Sequence, residues 1–164
     1  MAEAVGKRFR IEKDLRRAIP AGELQPYLQS QVDHMGRCVG AEVLVRWNHP
    51  RLGMVEPGDF IPVAEESDLI VQLGDWMLEQ ACRMLVRPEF VQQGWRLSVN
   101  VSWRQFRQPD VVDKLKRTLA ATGADPRRLT LEVTESVVMR DVDEARERMA
   151  ELQLLGVEMG LDLS

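Results

Sequence analysis

Apolar positions along this chain keep two rhythms, and the places where one gives way to the other divide it into elements. Over residues 7–19, Phe9, Ile11, Leu15, Ala18 and Ile19 recur at helical spacing among alternating charges, which predicts an amphipathic helix ended by Pro20-Ala-Gly22. Residues 24–32 and 39–47 then read as strands joined by the turn Asp33-His-Met-Gly36, a hairpin. A turn-rich loop covers residues 49–58, and Asp59 is placed to cap a short helix over 60–66. Over 69–85, Ile70, Leu73, Met77, Ala81 and Met84 form a helical stripe that belongs to a core. A polar stretch, 87–94, leads to a third strand at 96–101. Pro109 and Asp110 open a helix with Val111, Val112, Leu115 and Leu119 on its apolar face, and Gly123 stands where a left-handed C-terminal cap belongs. Asp125-Pro126 is a turn, 129–134 a fourth strand, 141–155 a helix closed by Gly156, and 157–163 a fifth strand.

Strands alternating with helices at this spacing imply crossover connections and a mostly parallel α/β sheet, which needs cover on its faces. Five strands with their helices amount to a little over half of a (β/α)8 barrel of ~250 residues. The expected architecture is therefore a partial (β/α)8 barrel. Residues 1–19 are expected to form a connector helix and 20–164 one domain, truncated after the fifth strand.

Composition narrows the class. The chain has 164 residues, 45% hydrophobic and 29% charged, which suits a globular domain with a real core. Its net charge of −4 argues against a general nucleic-acid binder, though one or two placed arginines still suit a small anion. No apolar run approaches the ~20 residues of a membrane span, and the charged opening lacks the apolar stretch of a signal peptide, so a cytoplasmic setting is expected. Cys38 and Cys82 lie on a predicted strand and helix without zinc spacing and are expected to be buried free thiols.

The chemistry-bearing residues sit where strands give way to loops. On the second strand Glu42, Leu44 and Arg46 share one face while Ala41, Val43 and Val45 share the other. A carboxylate and a guanidinium so placed make either a clamp for metal and phosphate or an internal salt bridge. Asn100, Glu132, Glu135 and Asp162 stand at or near the ends of the next three strands, which are neighbours on the active face of a parallel barrel. Hard oxygen donors on adjacent strands suit Mg²⁺, Mn²⁺ or Ca²⁺ better than zinc. Taken singly, each is more often a cap or a solvated charge. His34, in a turn, and His49, in a loop, are expected at the ordinary surface.

Several blocks in order resemble the EAL-domain family, the cyclic di-GMP phosphodiesterases of bacterial signalling. These are Gly40-Ala-Glu-Val-Leu-Val-Arg-Trp-Asn-His-Pro50, Phe60-Ile-Pro-Val-Ala-Glu-Glu66, Leu73-Gly-Asp-Trp-Met-Leu-Glu-Gln-Ala-Cys82, residues 97–102 and residues 131–136. The resemblance implies that Glu42, Asn100, Glu132 and Asp162 are ligands of Mg²⁺ or Mn²⁺. It implies that Gln29 and Arg46 contact cyclic di-GMP, that Leu44 lines the same pocket, and that Glu135 steadies an active-site loop.

Departures from the family pattern bear on activity. The signature tripeptide reads Glu-Val-Leu with valine for alanine, and Ser30 replaces a proline usual after Gln29. The family's second aspartate, later lysine and general-base glutamate have no counterpart here, where Leu163 and Ser164 follow Asp162. Loss of members of a catalytic unit costs orders of magnitude, so this chain alone is expected to be inactive. Its partners are expected to be cyclic di-GMP, a second copy of the chain, and a sensory or GGDEF-type domain in a longer protein. The alternatives are a degenerate module that binds the dinucleotide or a protein without cleavage, and an assembly module.

Overall fold

A computed structural model describes the backbone of residues 2–134 and 141–162 and the side chains of 5–134 and 141–161. The first helix, α1 (Ala2–Ala21), runs through Pro20 and ends at Gly22, whose φ of 77° few other residues adopt cheaply. Ile11, Leu15 and Ala18 are buried on one side of it, whereas Phe9, placed by spacing on the same stripe, is exposed. The hairpin follows as expected: β1 (Leu24–Val32) pairs antiparallel with β2 (Cys38–His49). Its turn is closed by Asp33, whose Oδ1 accepts from the Met35 and Arg37 backbone N–H groups at 2.8 and 3.0 Å.

Where a plain loop was expected, the chain makes β3 (Gly53–Val55), antiparallel to the end of β2. His49 builds that turn by accepting the Arg51 and Leu52 N–H groups on Nδ1. Helix α2 (Pro57–Glu65) starts earlier than the capping reading implied, because Pro57 takes the first-turn position that needs no N–H and leaves Asp59 inside the first turn. Helix α3 (Leu69–Leu85) matches its predicted span and is the most buried helix of the fold. The polar stretch after it contains α4 (Pro88–Gln93), closed by Gly94 at φ 67° and held by Phe90, which meets Trp95 edge-on at 5.4 Å.

Strand β4 (Arg96–Asn100) leads to a four-residue turn of helix, α5 (Trp103–Phe106), then to α6 (Val111–Thr122), closed by Gly123 at φ 77° as its position implied. A 3₁₀ turn (Pro126–Arg128) enters β5 (Leu129–Thr134). Helix α7 (Val142–Leu154) is capped by Asp141, which accepts the Glu144 N–H, and leads to β6 (Glu158–Asp162).

The strands form one sheet in the order β1-β2-β4-β5-β6, with β3 beside β2. All neighbours from β2 to β6 along that path are parallel, as βαβ crossovers require. This is the α/β architecture of a partial (β/α)8 barrel. Gly40 is required where β2 meets β4, since a Cβ there would fall 2.2 Å from the Arg96 carbonyl oxygen. Alternate strand residues, Val43, Val45, Trp47, Leu97, Val99, Leu131 and Val133 among them, are buried under the helices. Of the two free cysteines only Cys82 is buried, its thiol pushed up to about 11 by burial. Cys38 is exposed because it lies before Gly40, where β2 first gains β4 as a neighbour.

Candidate functional site

Opposite the helices the same strands present a polar face, and the pairing register says which residues share it. Glu42 lies across from Gln29 on β1 and Ser98 on β4, Asn100 across from Glu132, Glu132 across from Gly160, and Thr134 across from Asp162. Paired residues face the same side, and so do residues two apart. Gln29, Glu42, Leu44, Arg46, Asn100, Glu132 and position 162 therefore share the helix-free face. The candidate ligand positions climb two residues from β2 to β4, none from β4 to β5 and two from β5 to β6. That is close to the average of about one residue per strand that an eight-stranded barrel of shear 8 imposes on residues at one height.

Two of the candidate ligands meet directly. The Asn100 carboxamide donates from Nδ2 to Glu42 Oε1 at 2.7 Å. Glu132 stands one strand further, its Cγ 3.3 Å from where a Cβ on Gly160 would lie, so the glycine makes room for the carboxylate stem on the strand that carries Asp162. The side chain of Asp162 and all of Glu135 lie outside the described residues. Among the described residues no three His, Cys, Asp or Glu side chains gather as a metal site. The donor set under consideration is mixed, two carboxylates and a carboxamide on adjacent strands, and it is chemically suited to a hard cation.

Arg46 does not make the internal salt bridge that sharing a face with Glu42 allows. Among the described residues no ion pair joins it to Glu42. Its Nη1 donates to the Val45 carbonyl at 3.1 Å, and its guanidinium lies over the Tyr27 ring, 5.4 Å from the centroid. Tyr27 was not singled out from the sequence, although it stands two residues from Gln29 on the same strand and so on the same face. A cleft of about 340 Å³ opens past Arg46 and Asn100 toward α2 and α3, with Leu44, Arg46, Ile61, Gly74, Asn100 and Gln105 in its wall. Ser98, also unforeseen, is buried below Asn100 and lies 3.5 Å from Gln31 Oε1.

His49 is buried, not at the surface as its loop position suggested. With Nδ1 accepting two backbone N–H groups, the proton is on Nε2, which donates to Asp14 Oδ2 of α1 at 2.8 Å. That hydrogen bond holds the Asp14 carboxyl below its usual range, with the charges of Arg17 and Arg51 adding to it. No helix among the described residues is long and apolar enough to cross a membrane.

Comparison with known proteins identifies the family of the fold. Residues 12–163 match the EAL domain family. The bifunctional diguanylate cyclase/cyclic di-GMP phosphodiesterase MucR of Pseudomonas aeruginosa is 37% identical over 158 residues, 95% of this chain and 23% of MucR. The oxygen sensor protein DosP of Escherichia coli is 34% identical over 99% of this chain and 20% of its own length. The solved MucR phosphodiesterase in complex with c-di-GMP superposes with a TM-score of 0.86 over 93% of this chain and 63% of that one, at 37% identity. The EAL enzyme Bd1971 in its cAMP- and cyclic-di-GMP-bound form gives 0.84 at 25% identity, over 94% and 44%. The chain thus spans a quarter or less of these curated relatives, and across nearly all of its own length it belongs to the EAL domain family.

Proposed function

We propose that this chain handles cyclic di-GMP, with Glu42, Asn100, Glu132 and Asp162 as the holders of a Mg²⁺ or Mn²⁺ ion and Gln29, Leu44 and Arg46 as the seat of the dinucleotide. The meeting of Glu42 with Asn100 carries the reading. Two polar side chains 58 residues apart in sequence bond at 2.7 Å on an otherwise open face, beside a cleft walled by Leu44 and Arg46. A divalent ion held there would polarise a phosphoryl oxygen and favour ionisation of bound water.

The chain's own residues do the rest of the recognition. Arg46 offers the planar, permanently charged fork that suits a phosphate, and Tyr27 restrains it before a ligand arrives. Gln29, across from Glu42, adds an uncharged donor and acceptor at the rim. Among the described residues no histidine or lysine lines the cleft: His49 is engaged by Asp14, His34 sits in the hairpin turn, and Lys114 is paired with Asp75 between helices. We therefore read these 164 residues alone as a binding unit without turnover, and hydrolysis as the work of a longer protein. In such a protein α1 is the connector to a sensory or GGDEF-type domain, tied to this one by the Asp14–His49 contact and by an ion pair from Arg8 to Glu66.

Calorimetric titration with cyclic di-GMP in Ca²⁺, followed by a hydrolysis assay in Mg²⁺ and in Mn²⁺ at mildly alkaline pH, tests both parts. The expected result is binding that Glu42→Ala weakens, with no linear dinucleotide formed. Absence of binding overturns the dinucleotide reading. Turnover abolished by Glu42→Ala overturns the claim that the chain alone is inactive.

A further inference from the structure

Gln105 is an amide with 1% of its surface exposed, in a helix too short to hold itself together. Its place is set from outside. A Cβ on Gly74 of α3 would lie 2.1 Å from Gln105 Oε1, 2.4 Å from its Cδ and 2.7 Å from its Nε2. The amide therefore sits in the notch that the missing Cβ of Gly74 leaves open. Glycine in the middle of a helix is less favourable than alanine, so the notch carries a stability cost. From the notch Nε2 donates to Asp75 Oδ1 at 3.4 Å, and Asp75 is fixed in turn by Lys114 Nζ at 3.0 Å. The Asp75 hydrogen bond also raises the Lys114 ammonium above its usual range, so the last link stays charged at any ordinary pH.

The other end of this anchor is the candidate site. Asn100 ends β4, the Val101 N–H is held by the Glu132 carbonyl at 2.9 Å, and the Ser102 hydroxyl caps α5 by accepting the Gln105 N–H at 3.2 Å. The turn from Asn100 to Gln105 thus hangs between β5 on one side and the Gly74 notch on the other, and Asn100 and Gln105 wall the same cleft. We propose that Gln105 is a positioning residue: locked into Gly74, it fixes the turn after β4 and so holds the Asn100 carboxamide on Glu42. The inference rests on the reading of Asn100 as part of the cation site, but its geometric core can be tested without a cation.

The test is two-dimensional ¹H–¹⁵N NMR of the side-chain amides of the whole chain, free of metal and nucleotide. Gln105→Met keeps the shape of the side chain and removes the amide, while Gly74→Ala fills the notch. Both should move the Asn100 amide pair toward its position in Glu42→Ala. Leu152→Ala, a core deletion on α7, should leave it in place although the fold is weakened. An Asn100 signal unmoved by both notch variants, or moved equally by Leu152→Ala, overturns the inference. Titration with Mn²⁺ followed by electron paramagnetic resonance then adds the functional arm. Gln105→Met should bind about tenfold more weakly than the parent chain, the lower end of what loss of an outer supporting contact costs. Parent and Glu42→Ala chains alike in Mn²⁺ binding would fail the cation reading while the NMR result still decides the role of Gln105.

Discussion

The two faces of this sheet are made by the same strands and differ in almost everything else. On the helix side Val43, Val45, Leu97, Val99, Leu131 and Val133 are buried to within a few per cent of their surface. One residue along each strand, Glu42, Arg46, Asn100 and Glu132 stand on the open side with water still in reach. A strand's period of two separates the task of stability from the task of recognition at the finest spacing a chain allows. It follows that neighbours in sequence should respond to substitution in opposite ways.

The largest expected difference is between Leu97 and Leu44. Leu97 is fully enclosed, across from Ala41 and Leu129, so Leu97→Ala should cost about 3 kcal/mol in urea unfolding, the usual loss for a buried leucine. Leu44 is only half-buried on the open face, and Leu44→Ala should cost less than about 1.5 kcal/mol. Equal losses would mean that the open face is as much core as the helix side.

Arg46→Ala reverses the pattern. Its guanidinium packs on Tyr27 at the surface of the cleft, so unfolding free energy should change by about 0.5 kcal/mol at most. Cyclic di-GMP binding should fall about thirtyfold, the equivalent of one charge-assisted hydrogen bond of about 2 kcal/mol. Calorimetry on the parent and variant chains gives the number. Unchanged affinity would remove Arg46 from the dinucleotide's seat.

Much of this division was readable in the sequence, for a physical reason. Alternation in residues 41–47 and 129–134 states which side chains face the helices, and Gly123 announces a helix end because so few residues tolerate its φ of 77°. What escaped was fixed by tertiary contacts alone. Strand β3 is three residues long and shows no alternation; α4 buries only Phe90, so its sequence looks like a polar loop; α5 is four residues whose buried Gln105 bonds to Asp75, thirty residues upstream. His49 looked like surface because the group that covers it, Asp14, is 35 residues away. The contact of Asn100 with Glu42 needed the register of two strands, which pattern does not supply.

The Asp14–His49 pair sharpens the comparison from the other direction, as a polar contact placed on the helix side. Asp14→Ala leaves the buried Nε2–H of His49 without its acceptor and should cost about 1.5 kcal/mol at neutral pH. The folded Asp14 carboxyl is lowered, so its contribution is whole above the unfolded value near pH 4 and is lost as the pH falls through the lower folded one. Urea midpoints of parent and variant should therefore converge in acid and separate toward neutrality. A gap that stays constant across that range would assign the stabilisation to packing.

The smallest effect on stability is expected where the contrast between the faces runs out. Leu28 on β1 faces the helix side, since it pairs with buried Val43, yet it is 42% exposed, and Val32 further along the same strand is 60% exposed. The helices cover β2, its parallel neighbours and the start of β1 at Leu24, but not β1 from Leu28 onward. Among the described residues β1 pairs only with β2, which leaves a strand with exposed Leu28 and Val32 and an open edge, the kind that recruits other chains. Sedimentation across micromolar concentrations should accordingly show self-association. Leu28→Lys should weaken it by placing a charge on the edge, while moving the unfolding free energy by no more than about 0.5 kcal/mol, as expected for an exposed position. A large loss of stability in Leu28→Lys would show that β1 is covered in solution and that the dry face extends to the end of the sheet. A parent chain that stays monomeric throughout would show that the exposed edge does not recruit a second copy.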